Sequence, residues 1–418
     1  MYNITTLDNG IKIVTESIPT IRSISFGIWV KVGSQNENQN INGISHFIEH
    51  MLFKGTLTRS AKDIAEQMDA IGGQMNAFTS KQFPCYYVKI LDTNFDKALE
   101  IISDMFLNST FSENEMAKEK KVIIEEINMY EDTPEELVFE IMNENAWAGS
   151  ALAYPILGSI KNVESFSHSS IKSYYDENYT SENIIITVAG NFDTPQMINK
   201  LKKYFGSLQN KNFNSQKTNE VRYKKFIAVR DKEIEQVHIC LGFPGIKNSI
   251  EENYSLALLN TILGGGMSSR LYQKIREENG LAYSLFSFNY SYDTVGLFAI
   301  YAAINPLKVE KCIEVIIDEL KNLKSEPITN LQLAKTKEQL KSSYIISLEN
   351  SSSRMNALGK SIILYDKILT ADEIIERIDE VTLEEIYELI DKIFVFDEIS
   401  LAGVGKHEQM NLISNYKF

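Results

Sequence analysis

Residues 43–56 read Gly43-Ile44-Ser45-His46-Phe47-Ile48-Glu49-His50-Met51-Leu52-Phe53-Lys54-Gly55-Thr56. A helix is expected to begin near Gly43. On a helix, His46 and His50 are four apart and share one face. Two neutral imidazoles at that spacing can grip one tetrahedral Zn²⁺ at about 2.0–2.1 Å each. Glu49 borders the same face, near enough to reach a water at the metal without ligating the metal itself. Average residue usage makes a chance match to His-x-x-Glu-His in a chain this long roughly a one-in-a-hundred event. The plainer alternative is a pair of surface histidines on an amphipathic helix.

A catalytic zinc needs a third protein ligand and one open position. Ser112 starts a later helix, with Glu115 completing a capping box, and that helix should run to about Tyr130 and stop before Pro134. Met116, Glu119, Ile123, Glu126 and Tyr130 recur along it at spacings of three and four, so they form one stripe. Two carboxylates therefore sit among apolar residues. An unpaired buried carboxylate costs several kcal/mol, so such groups are usually paired or bound to metal. A solvated face is the other reading, with Lys118, Lys120 and Lys121 close by, and spacing alone does not choose between them.

Working outward, Asp8-Asn9-Gly10 between Ile4–Leu7 and Ile11–Val14 reads as a hairpin. Ile24–Val32 and Cys85–Ile90 read as strands, and Ser60 caps a helix with apolar positions at Ile64, Ala65, Met68 and Ile71. The strand, turn and helix of Tyr87–Met105 recur at Tyr301–Leu320, about 214 residues later. The strand Ile24–Val32 has a counterpart at Gln236–Phe243. A repeat this long means two copies of one domain. The expected fold is α+β: two homologous α/β sandwich domains, each a mostly antiparallel sheet packed with helices. Polar residues dominate 206–220, so the domains are placed at 1–210 and 221–418 with a linker at 211–220.

The length of 418 residues suits two domains of about 200 each. Lys and Arg total 42 against 56 Asp and Glu, a net charge of -14. That balance speaks against nucleic acid and anionic membranes as partners, since phosphate binding needs clustered cations. No run is long and apolar enough to span a bilayer. The N-terminus has no basic stretch leading into an apolar one, so no signal peptide is expected. Cys85, Cys240 and Cys312 are too scattered for a metal motif or a disulfide framework, and free buried thiols fit a reducing compartment. A cytoplasmic location is expected.

With Glu126 standing 76 residues after His50, these motifs resemble the pitrilysin/insulinase family of inverted-motif zinc peptidases, and most of all its bacterial branch related to the mitochondrial processing peptidase. The resemblance covers nearly the whole chain. It implies that His46, His50 and Glu126 bind one Zn²⁺ per chain. It implies that Glu49 is the general base, passing a proton from water to the leaving amine. Glu119 would hold a ligand in place. Asn76-Ala77-Phe78-Thr79 is similar to the family's edge strand, to which peptides add as an extra strand. Asn76 is equally a turn residue after Gly72-Gly73.

In the second domain, Gly264-Gly265-Gly266 is followed by no Gly-Lys-Ser/Thr, which weakens a phosphate-cradle reading. Arg276 and Tyr283 match a family pair that reaches the substrate, where the Tyr hydroxyl stabilises an oxyanion. Without the resemblance, Arg276 is a helical surface residue and Tyr283 a core aromatic. The repeat position of the zinc motif, near Ala257–Ile262, has no His or Glu. His168, His238 and His407 have no metal-like neighbours. The resemblance further implies four domains around a closed chamber, hence a bacterial homodimer or a hetero-oligomer with a homologue, cleaving unfolded peptides as a metallo-endopeptidase. The alternative is a non-catalytic, peptide-binding partner subunit.

Overall fold

The computed structural model describes residues 2–210 and 221–418. The expected linker, 211–220, lies outside the described residues. The chain forms two compact units, each built on one sheet. The first sheet contains β1 (Tyr2–Thr6), β2 (Lys12–Ser17), β3 (Ser23–Val30), β4 (Gln74–Thr79), β5 (Pro84–Leu91) and β6 (Ile184–Gly190), in the order β1-β2-β6-β3-β5-β4. The second contains β7 (Ile227–Asp231), β8 (Val237–Gly245), β9 (Ala282–Ser291), β10 (Gly296–Ile304) and β11 (Ser400–Gly405), in the order β7-β11-β8-β10-β9.

The duplication is visible in this topology. The β2-β6-β3-β5-β4 part of the first sheet has the same chain order and pairing sense as β7-β11-β8-β10-β9. In each sheet a single pair is parallel, β2 with β6 and β11 with β7, and the other neighbours are antiparallel. β1 is extra. It turns into β2 through Gly10, whose φ of 95° is the left-handed conformation that the Asn-Gly signal predicts.

The helices in the first half of the chain are α1 (Ile44–Leu52), α2 (Ala61–Ala70), α3 (Phe95–Asn108), α4 (Glu113–Asp132), α5 (Pro134–Ala146), α6 (Ile160–Ser165), α7 (His168–Asn178) and α8 (Thr194–Phe205). Those in the second half are α9 (Glu252–Gly264), α10 (Val309–Asn322), α11 (Asn330–Ser347), α12 (Ser351–Tyr365), α13 (Ala371–Glu380), α14 (Leu383–Ile393) and α15 (His407–Ser414). The expected repeat pairs α3 with α10, whose ends stand at a constant offset of 214 residues.

Each sheet is buried on both faces. Along β3, Ile24, Phe26, Ile28 and Val30 enter one core while Trp29 enters another. Along β10, Phe298, Ile300, Ala302 and Ile304 face one way and Leu297, Ala299, Tyr301 and Ala303 the other. This period of two is what a strand imposes on its side chains.

The units do not follow chain order in full, unlike the division expected at 210. Met129–Ala153 belongs to the second unit and Ser347–Ile368 to the first. The reason is the second face of each sheet. α5 lays Leu137, Val138, Ile141 and Met142 against Cys240, Leu297, Ala299 and Tyr301. α12 lays Met355, Leu358 and Ile362 against Val14, Trp29, Cys85 and Ile185. Burying three such side chains contributes roughly 5–9 kcal/mol before chain entropy is subtracted.

Candidate metal centre

α1 begins at Gly43, in the left-handed conformation, and runs as expected through the quoted stretch. Its apolar residues Ile44, Phe47, Ile48, Met51 and Leu52 join the core of the first unit. That burial fixes the rotation of the helix, and His46 and His50 project together from the face beside it, their ring centroids 4.6 Å apart. α4 meets them with the striped side predicted from sequence. Met116, Glu119 and Ile123 are buried, and Glu126 is partly so.

The Oε2 of Glu126 lies 3.7 Å from His46 Nε2 and 3.5 Å from His50 Nε2. One ligand atom from each of the three residues falls within 4.8 Å of the others. These separations are too long for good hydrogen bonds. They lie close to the spacing of two ligands on one tetrahedral ion, where bonds of about 2.0–2.2 Å set the ligand atoms roughly 3.3–3.6 Å apart. The donor set of two imidazoles and a carboxylate also suits zinc. By composition and geometry the three residues fit such an ion, and they are the only such group among the described residues.

The electrostatics agree. Burial, with the neighbouring His50, lowers the His46 pKa to about 3, so this imidazole is neutral and needs no deprotonation before it binds a cation. His46 Nδ1 is buried without a hydrogen-bond partner. Burial pushes the Glu126 carboxyl above its ordinary value; the nearby His50 opposes this and Glu119 adds to it.

His50 is held from behind. Its Nδ1 is 2.8 Å from Glu119 Oε1, and Glu119 Oε2 is 2.7 Å from Lys54 Nζ. Burial alone would raise the Glu119 carboxyl, but the bonds from His50 and Lys54 bring it below its ordinary value. An ionised Glu119 takes the proton-bearing Nδ1 of His50, which leaves Nε2 free to face Glu126.

Glu49, on α1, meets the last residue of β4. Thr79 Oγ1 donates a hydrogen bond to Glu49 Oε2. Burial raises the Glu49 pKa, partly offset by that bond and by His50. A carboxylate with a raised pKa beside a metal position suits a general base. Asn76, Ala77, Phe78 and Thr79 all lie on β4, the last strand in the sheet order, so Asn76 is in a strand and not in a turn. Asn76 is exposed, and its Oδ1 accepts the N–H of Ala77.

Arg276 and Tyr283 are neighbours in the second unit. Arg276 occupies a π-helical turn, Tyr272–Glu278. Its guanidinium carbon stands 4.7 Å from the Tyr283 ring and 5.0 Å from the Tyr272 ring, and its Nη1 donates to the Tyr283 carbonyl at 2.7 Å. Tyr283 is 73% exposed, so it is not the core aromatic that its position alone suggested. Of the remaining histidines, His238 Nδ1 pairs with Tyr301 and His407 Nδ1 with Asp231. The three cysteines are free and buried, as expected.

Sequence reasoning missed Lys54 and the Thr79 hydroxyl. Lys54 follows His50 by four residues, a spacing that signals a shared side but not the carboxylate between them. Nothing in the sequence announces the approach of Thr79 to Glu49.

Residues 12–160 match the family model described as insulinase (peptidase family M16), and residues 165–340 match the one described as peptidase M16 inactive domain. The second match begins in the first unit and extends through most of 219–346 in the second, which has no metal group among the described residues. The chain is 44% identical over 395 residues to the uncharacterized zinc protease YmxG of Bacillus subtilis, covering 94% of this chain and 95% of that one. It is 37% identical to a zinc protease of Rickettsia felis, with the same coverages of 94% and 95%. Its fold matches the crystal structure of a protease from Helicobacter pylori with a TM-score of 0.91 at 24% identity, covering 97% of this chain and 99% of that one. A peptidase M16 inactive domain structure from Pseudomonas fluorescens gives a TM-score of 0.90 at 18% identity, covering 97% and 98%. With the His46–His50–Glu126 group in the unit that matches the insulinase model, and with relatives of such identity along almost its full length, the chain belongs to the insulinase family of peptidases, family M16.

Proposed function

We propose that the protein is a zinc metallo-endopeptidase that hydrolyses peptides and small unfolded polypeptides. The observation that carries this is the convergence of His46, His50 and Glu126 from two helices on one point, at separations that fit a shared ion. These three side chains would hold one zinc per chain. When bound, zinc lowers the pKa of water towards about 7 and polarises a scissile carbonyl.

Glu49 takes the proton from the attacking water and delivers it to the leaving amine. Thr79 holds one oxygen of that carboxylate by its hydrogen bond and leaves the other to work. Glu119 fixes the ring of His50. A peptide adds to the open edge of β4 along Asn76–Thr79, through main-chain hydrogen bonds that are blind to side chains. Tyr283 donates its hydroxyl to the carbonyl oxygen as that oxygen turns negative, and Arg276 orients Tyr283 and the substrate. Support for the pair comes from the exposure of Tyr283 and its stacking with Arg276.

The working unit in this reading is a homodimer with a closed chamber, each chain lending Arg276 and Tyr283 to the other's metal. Free, buried cysteines fit a reducing bacterial cytoplasm. No helix among the described residues is long and apolar enough to cross a membrane.

Metal analysis and cleavage of a mixed peptide library, run on wild type and Glu49→Gln, test the reading. About one zinc per chain is expected in both proteins, with cleavage only by wild type. Undiminished cleavage by Glu49→Gln, or no zinc in either protein, overturns it. Zinc in both with no cleavage by wild type favours the non-catalytic partner subunit instead.

A further inference from the structure

The first backbone N–H groups of any helix lack partners within the helix. α2 meets this need locally, since Ser60 at its N-cap accepts from Asp63 N–H. α1 does not. Its N-cap is Gly43, which has no side chain to offer. A Cβ at Gly43 would come within 2.7 Å of Gly158 Cα and Leu157 O, so the position is too tight for a capping residue. The cap comes instead from Glu37, six residues upstream.

Glu37 is only 3% exposed. Its Oε2 accepts from Gly43 N–H at 2.7 Å and from Asn42 Nδ2 at 3.1 Å. Its Oε1 accepts from Ser45 N–H at 2.8 Å. Asn42 Nδ2 also donates to the Pro155 carbonyl at 2.9 Å, which ties the 155–158 segment to the same point. Burial pushes the Glu37 carboxyl up to about 7 even though these donors oppose it. A buried carboxylate costs several kcal/mol unless it is well partnered, and here the partners are the N–H groups at the start of α1. Both oxygens are committed to the start of the helix whose next residue is His46.

We infer that Glu37 is a positioning residue for the metal centre: by clamping Gly43 and Ser45 it sets the axial position and rotation of α1, so that His46 and His50 meet Glu126. The inference rests on the metal reading above. A ligand set tolerates only about 0.5 Å of misplacement, and the helix that carries two of the three ligands has just nine residues with which to resist a shift.

The test uses cobalt(II) as the probe, since its visible absorption reports both affinity and coordination geometry. Titrations are run on the full chain at about pH 8, where Glu37 is ionised. Glu37→Gln keeps the shape but places an N–H₂ against either the Gly43 or the Ser45 N–H. It is expected to bind cobalt at least about tenfold more weakly than wild type, with a weaker visible band, while its far-ultraviolet circular dichroism stays that of wild type. Ile316→Ala, in the core of the second unit, controls for general instability; it should lower Tm and leave cobalt affinity unchanged. If Glu37→Gln does not fold, Asn42→Ala decides, because it removes one of the three donors to Glu37 and should still weaken cobalt binding. Unchanged affinity and spectrum in the folded variant, or an equal loss of affinity in Ile316→Ala, overturn the inference and leave the metal reading intact. Wild type that takes up no cobalt, or takes it up equally well after His46→Ala, overturns the metal reading and this inference with it.

Discussion

His50 Nδ1 and Glu119 Oε1 stand 2.8 Å apart, and the other oxygen of that carboxylate is engaged by Lys54. Glu119 is almost fully buried, so its orientation is set by the packing of α4. The imidazole inherits that rigidity. Replacing Glu119 by Gln retains the shape but removes the charge that favours the Nδ1–H tautomer. Zinc affinity, measured by competition with a chromophoric chelator, is expected to fall by about 10–100-fold. Zinc content should still reach one per chain at saturating metal, since the three ligands remain. An affinity equal to that of wild type would show that His50 needs no support from behind.

Gly359 on α12 tests why that helix belongs to the first unit. A Cβ there would come within 2.1 Å of Trp29 Cε2, and Trp29 is fully buried. Gly359→Ala is therefore expected to destabilise by about 1–3 kcal/mol, read as a lower urea midpoint. Trp29→Leu makes room, so the double variant should recover part of the loss in a double-mutant cycle. Additive costs would mean that the two residues do not touch.

Local pattern explains what was legible in the sequence and what was not. The hairpin at Gly10, the strands Ile24–Val32 and Cys85–Ile90, and the repeat of α3 as α10 all follow from periodicity and turn chemistry, which the chain carries within a few residues. The stripe along α4 singled out Glu119 and Glu126 together, and only the resemblance, through the 76 residues between His50 and Glu126, chose between them. The destinations of α5 and α12 were not. Amphipathic character says that a helix has a sheet to cover, but not which of two similar sheets. Lys54, Glu37 and the bond from the Thr79 hydroxyl to Glu49 were missed for the same reason, since each acts through a partner brought near only by tertiary packing.

That exchange of helices predicts how fragments behave. Residues 1–210 alone lack α12 and would leave Trp29, Phe83, Cys85 and Ile185 uncovered on one face. A bare apolar patch of this kind drives aggregation. The fragment is expected in the insoluble fraction, and co-expression with 211–418 should return both to the soluble fraction. A monomeric, soluble 1–210 fragment with a cooperative melt would show that α12 is dispensable.

His238 gives the second unit a dependence on pH. Burial lowers its pKa below the ordinary 6.5, and its Nδ1 pairs with Tyr301. The native state therefore binds fewer protons than the unfolded chain just below pH 6.5, and protons favour unfolding there. The stabilising contribution is fully present above the ordinary value and is lost as pH falls through it towards the lowered one. Between about pH 7.5 and 5.5, wild type should lose more stability in urea than His238→Gln does. Equal losses would mean that other groups account for the whole slope.

Tyr283 is an exposed aromatic held by an arginine, an arrangement suited to meeting a ligand rather than a core. Tyr283→Phe keeps the ring and removes the hydroxyl. Loss of one oxyanion donor is expected to lower kcat by about a hundredfold with little change in KM. Glu49→Gln should be inactive on its own. If each chain serves the other's metal, a mixed dimer of the two variants contains one intact site, with Glu49 from one chain and Tyr283 from its partner. Random re-association of equal amounts gives half mixed dimers, so activity should recover to about a quarter of wild type. Mixtures that stay as inactive as their parents after exchange would show that Tyr283 serves the metal of its own chain, and the two-chain site would have to be abandoned.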